Sequence, residues 1–162
     1  MSVIDIAREA AESIRAAYWP HALPVRPEMI ARRLSIAVTK TQLPDDYLGL
    51  LVKRPGEKAQ IFLDASESEQ RNTVTCAHEL GHFVERTVIR ATPAKDYGFV
   101  ETRHRLVRDI HEDFADAFAL ALLMPDSYLE SQQTLDPIAI ASALNLPLET
   151  VQTRLLEVGA AG

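Results

Sequence analysis

The chain has 162 residues, about the length of one domain, and its hydrophobic fraction of 47% is ordinary for a globular protein. A formal net charge of −6 argues against a large nucleic-acid interface, which requires clustered lysine and arginine. The single cysteine excludes an internal disulfide, and no apolar run approaches the ~20 residues that span a membrane. We therefore expect one cytoplasmic domain over residues 1–162, with no signal peptide at its start.

Helical periodicity dominates both ends of the chain. The predicted helices cover residues 3–17, 27–34, about 66–86, about 107–124, and two short segments on either side of a turn at 145–147. Either Ser66 or Ser68 is placed to cap the third of these helices.

Two runs of β-like composition lie between the second and third helices. Residues 47–52 and 60–63 are rich in apolar side chains, and residues 54–57 between them have the composition of a turn. These runs predict a hairpin in a small antiparallel sheet. Residues 92–107 contain Pro93, Gly98 and mixed charges, which predicts a loop with at most short structure. The fold class is therefore α+β and mostly helical.

The segment His78-Glu79-Leu80-Gly81-His82 carries the clearest chemical signal. Histidines four residues apart on a helix project from the same face, so two ring nitrogens can reach one Zn²⁺ at ~2.0–2.1 Å. Glu79 lies beside such a metal rather than on it, which suits a general base for water. Gly81 leaves room for another element to pack close behind the site. The alternative is a pair of surface histidines on an ordinary helix.

A zinc hydrolase needs a third protein ligand, and the helix predicted at 107–124 offers one. Glu112 and Asp116 share one face of that helix, so Glu112 can be the ligand and Asp116 an acceptor for a ligand imidazole N–H. Asp113 and His111 are the substitutes if the register differs. Without the upstream motif, both carboxylates would be read as solvated positions.

The segment between the two predicted site helices carries a small basic cluster of Arg103, Arg105 and Arg108 around His104. A solvated loop is the favoured interpretation, and a phosphate site is the alternative. Arg103, His104 and Tyr97 are also candidates to stabilise an oxyanion in a transition state, and the sequence does not choose among them.

Residues 69–83 resemble the active-site helix of the ImmA/IrrE family of zinc peptidases. Residues 112–125 resemble that family's second signature, a Glu followed by Ala-Asn/Asp-x-Phe-Ala and then Leu-Leu-Met-Pro. The similarity extends to residues 24–34 and 138–156, so it covers nearly the whole chain.

The resemblance implies a zincin-like domain with a gluzincin-like site. Its metal ligands would be His78, His82 and Glu112, its catalytic base Glu79, and Asp116 stands where the family often has Asn. The implied cofactor is Zn²⁺, although Mn²⁺ in the cell is left open. The implied activity is cleavage of one specific protein, often a helix-turn-helix transcriptional repressor of phage, mobile-element or stress-response genes.

Residues 136–158 have the pattern of a helix-turn-helix. Its second helix has a single Arg and an early Glu, whereas a helix that recognises DNA needs several basic and amide side chains. We interpret this segment as packing within the peptidase domain, with no direct nucleic-acid contact. A catalytically silent metal-binding partner of a repressor or toxin-antitoxin system is the alternative function. The sequence does not determine the oligomeric state.

Overall fold

The computed structural model describes residues 1–20, 22–90, 99–104 and 108–160. Its helices are α1 (Val3–Tyr18), α2 (Pro27–Arg33), α3 (Glu69–Val84), α4 (Ile110–Leu123), α5 (Asp126–Glu130), α6 (Pro137–Leu144) and α7 (Leu148–Ala160). Its strands are β1 (Ala37–Thr41), β2 (Tyr47–Lys53), β3 (Gln60–Asp64) and β4 (Phe99–His104). A π-helical turn, Glu85–Ile89, continues α3.

Side-chain caps determine where the two central helices begin. The Ser68 hydroxyl accepts a hydrogen bond from the backbone N–H of Arg71 at 3.2 Å, so Ser68, rather than Ser66, caps α3. The Asp109 carboxylate accepts from the N–H groups of His111 and Glu112, both at 2.9 Å, and thereby starts α4. The predicted α+β class is confirmed, and the short helix α5 is an addition to it.

The sheet has the strand order β1-β3-β2-β4. The predicted hairpin is confirmed, because β2 and β3 pair antiparallel around a turn in which Gly56 has a φ of 72°. β1 pairs parallel to β3, and β4 pairs antiparallel to β2, so the sheet is mixed. Both hairpin strands are therefore internal, and within the described residues the edges of the sheet are β1 and β4.

Residues 99–104, inside the segment predicted as a loop with at most short structure, form the six-residue strand β4. In β4 the usual pattern of buried apolar and exposed polar side chains is reversed. Val100 is 59% exposed, while Glu101 and Arg103 are half-buried. Glu101 forms an ion pair with Arg86, and Arg103 donates to the Val74 carbonyl at 3.5 Å. Because charged residues occupy the inward positions, the sequence lacks the apolar alternation by which a strand is predicted. Residues 91–98 and 105–107, where the rest of that predicted loop falls, lie outside the described residues.

α4 lies at the centre of the molecule. It packs against α1 on one side and α3 on the other, and the sheet covers the opposite face of α3. From Phe114 to Leu123, every α4 residue except Asp116 is buried, as expected of a helix enclosed by others. The core thus holds α3 and α4, the two helices that carry the chemically informative residues, in direct contact.

The C-terminal pair α6 and α7 joins through Asn145, which adopts the left-handed conformation with a φ of 53°. Arg154, the basic residue of α7, is 1% exposed. Its guanidinium donates to the Met124 carbonyl at 3.2 Å and to Asp126 Oδ1 at 2.5 Å. Arg154 is therefore a packing residue and does not face solvent. No helix in the described part of the chain is long and apolar enough to cross a membrane.

Candidate metal centre

His78, His82 and Glu112 meet at the interface of α3 and α4. The two histidine side chains are each 1% exposed, and Glu112 faces them from the first turn of α4. His78 Nε2 lies 3.1 Å from His82 Nε2 and 3.2 Å from Glu112 Oε2, and His82 Nε2 lies 3.0 Å from Glu112 Oε1. Three potential ligand atoms thus converge on one point.

Asp116 lies one helical turn beyond Glu112 and contacts the other nitrogen of His78. Asp116 Oδ1 is 2.8 Å from His78 Nδ1. Because a carboxylate is an acceptor, this contact assigns the proton to Nδ1 and leaves the lone pair on Nε2. His82 Nδ1, in contrast, is buried with no hydrogen-bond partner among the described residues.

The donor set fits a metal ion. The Nε2 lone pair of His78 and the oxygens of Glu112 are acceptors that face one another within 3.2 Å, which is unfavourable unless a cation or proton lies between them. Ligands of a tetrahedral zinc at ~2.0–2.1 Å are about 3.3 Å apart, close to the separations found here. Two imidazoles and one carboxylate also form a recurring ligand set of catalytic zinc sites.

Close contact between α3 and α4 positions the third ligand. A Cβ atom at Gly81 would lie 3.0 Å from Ala115 Cα and 3.2 Å from Phe118 Cβ, closer than ordinary packing allows. The two helices therefore meet backbone to backbone, and Glu112 reaches the histidines from one turn before Ala115. The expectation that Gly81 leaves room for a neighbouring element is confirmed.

Glu79 lies on the side of α3 that faces the sheet. Both of its carboxylate oxygens are buried and lack a hydrogen-bond partner among the described residues. Burial raises the pKa of the carboxyl to about 8, although the electrostatic influence of His82 and Arg103 lowers it. An acid with its pKa near neutrality can both accept and release a proton.

Glu112 has the opposite electrostatic character. Burial alone would raise the pKa of its carboxyl, but the adjacent imidazoles of His78 and His82 outweigh that effect and hold the pKa far below its usual range. The environments of the two carboxyls therefore separate their roles: Glu112 stays ionised, and Glu79 can carry a proton.

The residues considered as substitute ligands are held elsewhere. His111 Nδ1 lies 2.8 Å from Glu85 Oε1, and Asp113 Oδ1 accepts from Arg108 at 2.6 Å. Glu112 is the carboxylate of α4 that faces both histidines. Among the candidates for oxyanion stabilisation, Arg103 lines a groove of about 300 Å³ beside Asp116. Tyr97 lies outside the described residues, as does the side chain of His104.

Two contributors to the site were not identified from the sequence. Gly49 of β2 lies over α3, where a Cβ would be 3.0 Å from Glu79 Oε1; a glycine inside a strand-like run was the available signal. Arg108 donates to Asp116 Oδ2 at 3.1 Å, and it was grouped with solvated loop residues instead. Arg108 is exposed, as that interpretation expects, but its ion pair with Asp116 had no local sequence pattern to indicate it.

Residues 31–156 match the family of peptidases described as the IrrE N-terminal-like domain, peptidase M78. The chain belongs to this family. The match covers more than half of the chain, and it includes α3 and α4 with the whole candidate site. Peptidases of this family depend on a metal ion, in agreement with the His-His-Glu group. The resemblance to ImmA/IrrE proteins is thereby confirmed. No curated protein matches the chain.

Proposed function

We propose that the chain is a zinc-dependent endopeptidase that cleaves a specific intracellular protein, such as a helix-turn-helix transcriptional repressor. The observation that carries the proposal is the convergence of His78, His82 and Glu112 beside Glu79, which is buried and has no hydrogen-bond partner among the described residues. The family match supports the peptidase activity. The substrate class rests on the resemblance of both signatures to the ImmA/IrrE family.

The three ligand side chains would hold the ion, with nitrogen and oxygen donors of the type that favours zinc. When bound, zinc supplies Lewis-acid chemistry, acidifying water and polarising a carbonyl group. Glu79, whose buried carboxylate oxygens have no hydrogen-bond partner among the described residues, accepts a proton from the attacking water and passes it to the leaving amine. Asp116 keeps His78 in the tautomer that presents Nε2.

An extended substrate segment binds along β4. The hairpin strands β2 and β3 are each paired on both sides, so neither offers a free edge to a substrate. β4 is the edge strand that adjoins β2 over α3, so it can add a strand by β-augmentation. Amide hydrogen exchange of residues 99–104 should slow when substrate is added to the Glu79→Gln variant, and unchanged exchange contradicts this binding mode.

Incubation with the repressor encoded nearest to its gene tests the proposed activity. Zinc-loaded wild type should cut the repressor at one site, and Glu79→Gln should bind zinc and repressor without cutting. The proposal of peptidase activity is contradicted if the wild-type protein binds zinc and the repressor but does not cleave that repressor or any member of a repressor library. That result would favour a metal-binding interaction partner.

A further inference from the structure

Arg108 connects two carboxylates of α4. It lies just before the cap residue Asp109, and its two terminal nitrogens point to different partners. Nη1 donates to Asp116 Oδ2 at 3.1 Å, and Nη2 donates to Asp113 Oδ1 at 2.6 Å. The planar guanidinium is suited to such a two-point contact, which a lysine cannot reproduce.

Asp116 is thereby held from both sides. One oxygen accepts from His78 Nδ1 at 2.8 Å, and the other accepts from Arg108. The Asp116 side chain is 33% exposed, so water competes for both oxygens. When Arg108 holds the Asp116 carboxylate, Oδ1 stays aligned with His78 Nδ1. Without Arg108, the Asp116 side chain can change rotamer and lose that alignment.

We propose that Arg108 is a positioning residue for the metal centre, acting through Asp116 to fix the orientation and tautomer of His78. The inference rests on the proposed metal site and adds a residue beyond the ligands and their direct acceptor. The chain of contacts runs from Arg108 through Asp116 to His78, whose Nε2 faces Glu112.

An ordinary surface ion pair is the competing interpretation, because the Arg108 side chain is 68% exposed. Isolated exposed pairs contribute little to stability. The two interpretations differ in the sign of one measurable effect. Loss of a nearby positive charge favours binding of a cation by Coulomb's law, whereas loss of a positioning contact weakens it.

The affinity for zinc, measured by competition with a chromogenic chelator, separates these interpretations. Removal of partners that orient metal ligands typically weakens binding by about 10- to 100-fold, so Arg108→Ala, one contact further out, should weaken it by about 3- to 10-fold. Arg108→Lys should lie between Arg108→Ala and wild type. Unchanged or tighter binding in Arg108→Ala overturns the proposal.

Arg71→Ala is the matched control. Arg71 is also an exposed arginine that bridges elements, pairing with Glu149 of α7 at 3.2 Å, but it does not contact Asp116 in the described structure. Its zinc affinity should equal that of wild type. Equal weakening in Arg71→Ala and Arg108→Ala would indicate a general loss of stability and overturn the positioning role.

A double-mutant cycle with Asp116→Ala tests the route of the effect. If Arg108 acts through Asp116, then Arg108→Ala should change zinc affinity by less than about twofold in the Asp116→Ala background. A persistent effect of the original size contradicts this route. Wild type that binds no zinc rejects the metal site itself, whereas zinc-binding wild type with an unaltered Arg108→Ala rejects only this inference.

The metal-free protein supplies an independent readout. The Nδ1–H of His78 is observable by nitrogen-15 NMR of labelled histidine, and its exchange with solvent reports the contact with Asp116. Exchange should be faster in Arg108→Ala and unaltered in Arg71→Ala. Equal exchange rates in Arg108→Ala and wild type would contradict the proposal.

Discussion

Gly49 on β2 lies directly over Glu79 on α3, so closely that a Cβ atom at Gly49 would be 3.0 Å from Glu79 Oε1 and 2.5 Å from Thr75 Cγ2. The register of β2 against β4 shifts between Tyr47 and Gly49, at the same place. The sheet thus approaches α3 at the residue that we propose transfers protons. Such an approach requires the absence of a side chain.

Gly49→Ala should therefore displace Glu79 without removing a metal ligand. We expect repressor cleavage to fall by about 10²-fold, because a misplacement on the order of 1 Å has such an effect on catalysis. Zinc stoichiometry should stay at the wild-type value. Gly159→Ala is the control, since a Cβ there meets nothing within 4 Å. Full activity in Gly49→Ala would show that the close approach is not needed for catalysis.

Glu79→Gln should stabilise the metal-free protein increasingly as the pH rises. Burial raises the folded-state pKa of Glu79 to about 8, so the unfolded chain ionises first and wild type loses stability between about pH 4.5 and pH 8. Glutamine does not titrate, and the difference should approach a value on the order of 5 kcal/mol above pH 8. Urea unfolding of both proteins in chelator at pH 5 and pH 8.5 measures it. If the difference in unfolding free energy between the two proteins is the same at both pH values, the pKa of the Glu79 carboxyl is not raised by burial.

Gly81→Ala should loosen the contact between α3 and α4. The added methyl group would lie 3.0 Å from the Ala115 backbone, and overpacking of this kind destabilises by about 1–3 kcal/mol. Zinc affinity should fall as well, because Glu112 moves with α4. Gly159→Ala again serves as the control, since an unhindered helical Gly→Ala change stabilises by about 0.5–1 kcal/mol. Equal unfolding free energies for Gly81→Ala and wild type would be inconsistent with the close packing.

Arg154→Met should destabilise the fold and leave the metal centre intact. The substitution removes a buried donor to the Met124 carbonyl and the ion pair with Asp126, an expected loss of about 1–3 kcal/mol. Denaturant unfolding of the zinc-free protein and zinc stoichiometry at saturation are the two readouts. Wild-type stability in Arg154→Met would contradict the packing role of α7.

The parts of the site that sequence alone predicts are those with a local pattern. His78 and His82 are one turn apart, so helical periodicity is sufficient to place them on one face. Glu112 and Asp116 follow the same rule on α4, and their register became clear because Asp109 caps that helix. A short-range pattern thus predicts which side chains share a face, and the family resemblance predicted which faces meet.

Long-range contacts were not predictable in this way. β4 has charged residues on its inward face, and their partners Arg86 and Val74 lie on or just beyond α3, so no local alternation revealed the strand. Arg108 likewise contacts Asp116 only because α4 begins two residues later and turns Asp116 toward it. Gly49 gave a local signal, but its meaning depended on where Glu79 lies across the sheet–helix interface.

The metal content of the purified protein tests the central claim most directly. Elemental analysis of wild type, His82→Ala and Glu112→Ala should give about one zinc per chain in wild type and much less in both variants, since each variant removes one of three protein ligands. Arg71→Ala should retain the wild-type value. If Glu112→Ala retains zinc, the third protein ligand is a residue other than Glu112. A wild-type protein that takes up no metal when zinc is supplied would contradict the account.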